Sequence, residues 1–366
     1  MANFVQFHVL TTYGPSNPNR DDLGNPKQAE IGGEIRMRHS SQSVKRALRE
    51  STFFAQDLKD HMGVRTKRLH GELVTHLLGQ GIAEKKALEA ADVVAAIFGK
   101  LEAVEKGSSE QVATTLAFIS PEERALAKEL AEKAAAGEKL PKDKELKKLV
   151  LRRADGAVDV AMFGRMLASD ADFNRDAAVQ VAHAFTTHRS VAQEDWFSAV
   201  DDLAGDDETG AGHIGESAFG TGVFYQYVCV DVGLLIENLD GDKELAARGM
   251  EALARGLSQA TPRGKQNSYA HHPRANYMLA EQGEQAPRDL SGAFFEAVKG
   301  ASLLESSIKK LEATRKAIDD VYGQCWNAEA KVYTGKWDSE KELWVNKTGT
   351  LEDVATFAGK AALRGE

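Results

Sequence analysis

Two compositions alternate along this chain, and the alternation limits what it can fold into. Residues 3–10 place Val5, Phe7 and Val9 at a period of two, which predicts a half-buried strand. β-branched and aromatic residues return at 157–163, 179–187 and 222–232, predicting three more strands. Between them lies a block at about 58–150, rich in Ala, Glu, Lys and Leu, which reads as several helices, among them 84–106 and 121–136. Pro121 behind Ser120 starts the second of these, and Gly137 with Pro141 stops it. The 366 residues suffice for two lobes or for one domain with a large insertion. The order of segments points to an α+β domain interrupted by helices.

The first part of the chain is more specific. Residues 11–33, with Pro15, Pro18 and Pro26 among several Gly and Asn, predict a loop of a length usually tied to function or disorder. A strand near 34–39 and a helix over about 41–57 follow. Residues 35–49 hold five Lys or Arg and no carboxylate, in a chain of net charge -9. Ser40 or Ser41 is suited to cap the helix. Gln42, Lys45, Arg46 and Arg49 then form one stripe, with Val44, Ala47, Leu48 and Ala55 on the opposite side. Charged stripes on amphipathic helices commonly just face solvent. This one has no carboxylate partner before Glu50 in a chain rich in acids, and the free amides at its helix start favour a phosphate. The stripe reads as a surface for a polyanion.

Composition removes several classes. No apolar run approaches the ~20 residues of a membrane helix, and the first residues lack the pattern of a secretory signal. Cys229 and Cys325 have no disulfide or zinc spacing, which suits a reducing cytoplasm. There is no His-Glu-x-x-His, Cys-x-x-Cys, phosphate-binding loop, dinucleotide fingerprint or nucleophile elbow, so neither metal nor cofactor is expected. His8 and His183, in predicted strands, read as structural. Asp21 and Asp22 in the long loop read as turn formers; the alternative is a metal-dependent RNase that uses them to cleave target RNA.

Other clusters suit binding. Residues 261–269 form a basic, Gly-containing loop with Lys265 and a terminal Tyr269, able to hold a phosphate backbone beside a stacked base. Gly164, Arg165 and Met166 close a predicted strand, where Met166 is either core or an exposed wedge. Residues 192–221 contain no Lys or Arg, many Asp, Glu and Gly, and the apolar Trp196 and Phe197; this is the composition of a projecting arm. Helices at 242–258 and 287–319 and a Thr350-capped helix complete the reading.

Several of these segments match a known family in order and spacing. They are Asn-Arg-Asp-Asp (19–22), Gly-Gly-x-x-Arg-x-Arg (32–38), Ser-Ser-Gln-Ser-x-Lys-Arg-Ala-x-Arg (40–49), Gly-Arg-Met (164–166), Ala-His-Ala-x-Thr-Thr-His (182–188), Asp-Trp-Phe-x-Ala-Val-Asp-Asp-Leu (195–203) and Gly-Val-Phe-Tyr-x-Tyr (222–227). The chain resembles the CasC-type backbone subunit of the type I-E CRISPR Cascade complex. The resemblance implies an α+β hand: a modified ferredoxin-like (RNA-recognition-motif-like) palm, a helical fingers insertion and a projecting thumb hairpin. Palm would be 1–57, 151–191 and 222–310, fingers 58–150, thumb 192–221, with a C-terminal region at 311–366. It implies a non-catalytic subunit that polymerises along the spacer of a CRISPR RNA and presents the guide to target DNA. Partners would be other copies of itself and the large, small, cap and RNA-processing Cascade subunits, with no membrane. Carried over by position, Arg20, Lys27, Ser40, Gln42, Lys45, Arg46 and Arg49 would hold guide phosphates and sugars. Arg165 and Met166 would lie at a kinked base, Trp196, Phe197 and Ser198 at the neighbouring kink, and Lys265 on the backbone.

Overall fold

A computed structural model describes residues 3–151, 156–167, 173–199, 213–338, 340 and 343–364. They form two compact units. The first comprises Met1–Phe54, Gln180–Asp231 and Met250–Glu366, the second Ala55–Val179 and Val232–Gly249.

The first unit is built on an antiparallel sheet. Its strands are β1 (Phe4–Ser16), β2 (Gln28–Ile31), β3 (Glu34–His39), β4 (Ala184–Thr186), β5 (Gln193–Ala199), β6 (His213–Asp231), β7 (Ala275–Gly283) and β8 (Ala328–Tyr333). Across the sheet the order is β8-β7-β1-β6-β4-β3-β2, with β5 on the outer part of β6. On β1, Phe7 faces Val228 of β6 on one side and Ala280 of β7 on the other. Val5, Phe7, Val9 and Leu10 are all buried, so both faces of this strand are covered. Leu10, Tyr225, Tyr277, Leu279 and Phe294 pack with Leu311 of the helix Leu303–Tyr322.

His8, in the opposite phase to Val5 and Phe7, is also buried. Its Nδ1 lies 3.0 Å from the Tyr225 hydroxyl and its Nε2 3.4 Å from Glu281. Glu281 accepts from Arg288 at 2.8 Å and from Arg315 Nε at 2.8 Å. The charges buried there are paired, which is the condition for burying them. Burial raises the Glu281 carboxyl, but hydrogen bonds from His8 and Arg288 outweigh it and bring it down to about 2.

The arm is the overhang of a core strand. β6 has 19 residues, an extended length of roughly 60 Å. Its pairing with β1 ends at Ser16 opposite Gly220; beyond, β5 takes over from Gln193–Phe219 to Ala199–His213. Residues 200–212, the expected tip, lie outside the described residues.

Several segments differ from the sequence reading. The expected loop 11–33 begins as a continuation of β1 and ends in the β2–β3 hairpin, turned by Gly32 at φ 60° and Gly33 at φ 76°. Positive φ at both residues is the two-residue hairpin turn, here hidden among other glycines and prolines. The helix expected at 41–57 stops at Arg49, and a short turn Thr52–Ala55 follows. The strand expected at 179–187 is two short ones, Val179–Val181 and β4. The helix expected at 287–319 begins only at Leu303.

The second unit is mainly helical. Helices Leu69–Gly79, Glu84–Ala95 and Pro121–Ala135 pack around Leu73, Leu77, Ala91, Val94, Ala127 and Leu130. Ser120 caps the third as expected, in a reciprocal box with Glu123. The helix expected at 84–106 ends near Phe98, and Leu101–Ala103 instead pairs with Gln111–Ala113. The segment 157–163 is a helix, Val158–Phe163, and not a strand; all six residues are buried. A short, fully buried apolar run has no exposed face to reveal its period, and β-propensity yields to packing. Among the described residues no helix is long and apolar enough to cross a membrane.

Candidate nucleic-acid interface

The basic segment folds as the spacing predicts, with Ser40 as the cap. The helix Ser41–Arg49 opens with the Ser40 Oγ accepting the Ser43 amide at 3.3 Å. Val44, Ala47 and Leu48 are buried, Gln42 and Arg46 exposed, and Lys45 and Arg49 partly exposed. Arg46 donates to Glu50 at 2.7 Å, so its charge is partly offset. Two arginines of the preceding strand serve other ends. Arg36 is buried and donates to the Thr186 and Phe294 carbonyls at 3.0 and 3.1 Å. Arg38 donates to His183 Nδ1 at 2.6 Å. Burial, then the charges of Arg38 and Lys27, hold the His183 imidazole below its usual range, so it accepts this bond as a neutral ring.

The loop carrying Arg20 and Lys27 is tied to the helix start through Asn19. Its Oδ1 accepts the Ser40 amide at 2.7 Å and the Ser43 hydroxyl at 3.1 Å. Lys27 donates its amide to the Asn19 carbonyl at 2.9 Å, and Arg20 bridges Pro26 across the loop. Asp21 Oδ1 accepts the amides of Leu23 at 3.0 Å and Asn25 at 2.8 Å, the turn-forming role expected of it. Asn17 Nδ2 donates to Ala218 at 2.8 Å, joining the loop to the base of the arm.

The 261–269 loop docks on the same place. Gly264 donates its amide to Pro18 at 3.0 Å, and a Cβ there would lie 2.3 Å from that carbonyl oxygen. Lys265 follows at φ 48°, opening the short helix Gln266–Tyr269. The Tyr269 hydroxyl lies 3.3 Å from Ser217 Oγ on the arm. Arg20, Lys27, Ser40, Gln42, Lys45, Arg46, Arg49 and Lys265 are therefore gathered by Asn17, Asn19, Gly264 and Tyr269. Sequence reasoning missed Asn17 and Asn19 as organisers. The one signal was an Asx residue upstream of a serine cap.

On the arm every residue of β5 is exposed. Trp196 is 68% and Phe197 49% accessible, although large aromatics ordinarily seek cover. Phe197 lies over Gly215 opposite it; a Cβ at Gly215 would meet the ring at 2.3 Å. Ser198 pairs with Ile214.

The last two expected residues belong to the second unit. Met166 is 81% exposed, so it is not a core residue. Arg165 departs from the expected role: it is buried and donates to both Glu123 oxygens, at 2.7 and 2.6 Å. Its guanidinium holds the start of helix Pro121–Ala135 and has no surface to offer a nucleic acid. Among the described residues no three His, Cys, Asp or Glu side chains converge as metal ligands.

Comparison with known proteins agrees with this architecture. The model of the CT1975-like protein family matches residues 5–356. The chain belongs to the CT1975-like family. A chain from a structure of a pre-nicking CRISPR RNA-guided surveillance complex is similar to this CT1975-like protein at 28% identity, covering 98% of this chain and 100% of that one, with TM-score 0.83. A chain from another CRISPR RNA-guided surveillance complex, at 24% identity, covers 98% and 99% with TM-score 0.72 and shares the fold. A search of curated protein sequences finds no match.

Proposed function

We propose that this protein is the CasC-type backbone subunit of a type I-E CRISPR complex. Its first unit, a modified ferredoxin-like palm, holds a CRISPR RNA by phosphates and sugars. Copies line up along the spacer so that the guide can pair with target DNA, in company with the large, small, cap and RNA-processing subunits. The observation carrying this reading is a concentration of charge. A chain of net charge -9 gathers Arg20, Lys27, Lys45, Arg46, Arg49 and Lys265 on its first unit, beside an arm that exposes Trp196 and Phe197. A guide of arbitrary sequence must be held without reading its bases, by phosphate contacts and by stacking that any base accepts. Repetition along a filament then multiplies a modest affinity per subunit. The likeness to a chain of a CRISPR RNA-guided surveillance complex at 28% identity over nearly full length supports the same assignment. Met166, exposed on the second unit, fits an apolar wedge at a kinked base.

The subunit is proposed to be non-catalytic. Asp21, one of two candidate acids, spends an oxygen on the amides of its own turn. Regularly spaced cuts in complementary RNA with magnesium, abolished by Asp22→Ala, would overturn that part. The main test is co-expression with a CRISPR array, followed by the nucleic-acid-to-protein absorbance ratio and extraction of the RNA. Lys45→Ala and Arg49→Ala are each expected to lower guide retention equally for every spacer sequence and to reduce the salt slope by roughly 0.7 per contact. Assemblies free of RNA, or losses confined to some spacers, would refute the assignment.

A further inference from the structure

Behind the basic helix lies a second concavity, of about 260 Å³, that the stripe does not enter. It is lined by Ala47 and Ser51 together with Thr261, Arg263, Gln266, His272 and Arg274. At about 100° per residue, Ala47 stands roughly 150° around the helix from the centre of the Gln42, Lys45, Arg46 and Arg49 stripe, and Ser51 lies just past the helix end at Arg49. The concavity thus lies beside the last turn of the helix and includes no residue of the stripe. None of the residues lining the concavity is a carboxylate. Arg263 and Arg274 are exposed. Arg263 is placed by a hydrogen bond to the Glu50 carbonyl at 3.0 Å, and Gln266 by one to the His271 carbonyl at 3.1 Å. The Glu50 carboxylate, the nearest acid in sequence, is engaged by Arg46 at 2.7 Å.

Two guanidiniums and an imidazole around a concavity without a carboxylate suit a phosphate group; the Ser51 hydroxyl is spent on the Leu48 carbonyl at 2.7 Å and the Gln266 amide on His271, so the two arginines carry the recognition. Arginine's planar fork suits phosphate oxygens in particular. We infer that this concavity is a second phosphate site, taking a phosphodiester of a nucleic-acid strand on the flank of the helix away from the stripe. The inference rests on the nucleic-acid-binding reading above. Two strands could supply that phosphate, a distant part of the guide or the DNA that the complex meets, and the test separates them.

The complex is prepared with its guide as wild type, Arg274→Ala, Arg274→Lys and Lys45→Ala. Guide content is measured on each, and a labelled single-stranded DNA complementary to the guide is titrated at several salt concentrations. Arg274 is exposed, so its replacement does not threaten folding. If DNA fills the site, Arg274→Ala keeps its guide, binds the probe roughly tenfold more weakly and shows a shallower salt slope; Arg274→Lys recovers part of the loss. If the guide fills it, guide content falls in Arg274→Ala and recovers in Arg274→Lys. Unchanged guide content together with unchanged DNA binding sinks the second site and leaves the functional assignment standing. Failure of Lys45→Ala to lower guide content sinks the functional assignment instead, whatever Arg274 shows.

Discussion

Replacing Asn19 by alanine should loosen the guide grip without touching a single cation. Asn19 Oδ1 is the partner of two donors, the Ser40 amide at 2.7 Å and the Ser43 hydroxyl at 3.1 Å. Ser43 keeps a second bond, to the Ser40 carbonyl at 2.8 Å, so its loss is small. The Ser40 amide has no such reserve, and Ser40 is only 7% exposed. Leaving a buried donor unmade costs about 1–3 kcal/mol. Taking about 2 kcal/mol, the docked loop loses a factor of roughly 30 against its released forms. Arg20 and Lys27 ride on that loop, while the backbone pairing of Lys27 with Asn19 stays intact. Release would remove two phosphate contacts, lowering the single-strand salt slope by about 1.4. Asn19→Asp preserves the acceptor and places a negative charge at a helix start, so it should hold the loop nearly as well. The assay is guide retention against salt, with limited proteolysis at residues 20–26 as a report on the loop. If Asn19→Ala keeps the wild-type slope, or if Asn19→Asp fails as badly, the positioning argument is wrong.

Two further predictions concern the buried ion pairs. Glu281 sits at about 2, well below its usual 4.5, so its contribution is complete above about 4.5 and fades as the pH falls toward 2. Glu281→Gln should cost about 1–3 kcal/mol at neutral pH, because Arg288 keeps Asp319 and Arg315 keeps Glu312 and Glu329 but both lose the buried carboxylate they share, and should flatten the acid limb of a urea-denaturation series; an unchanged acid limb would contradict the pairing. Arg165→Met should destabilise the second unit by ~3–5 kcal/mol, because the buried Glu123 would lose the guanidinium that donates to both its oxygens, and Arg165→Met with Glu123→Leu should recover part of it. A guide-binding role for Arg165 would instead show as RNA loss in the double variant with stability restored.

How legible these features were depended on whether they are local. The Ser40 and Ser120 caps, the stripe of Gln42, Lys45, Arg46 and Arg49, and the Thr350 cap follow from neighbours three or four residues apart, and each forms as expected; the Asp353 partner of Thr350 is added by the structure. Val158–Phe163 was misread because a fully buried run carries no polar face to mark its period. Among the basic residues, charge by itself does not sort Arg36, spent on buried carbonyls, or Arg165, spent on Glu123, from the partly exposed Lys45 and the exposed Arg46.

By itself the sequence determined the α+β alternation, the amphipathic basic helix and an arm too acidic and too aromatic to be ordinary core, all of which are properties of short windows. The tertiary structure decided what those pieces are for. Contacts as distant as Asn19 with Ser40 and Asn17 with Ala218 turn a proline-rich loop into a fixed support for two cations. The continuation of β6 beyond its partner β1 turns a core strand into a projecting arm. Such choices rest on hydrogen bonds between residues up to about 200 positions apart, whose formation depends on chain closure rather than on local propensity.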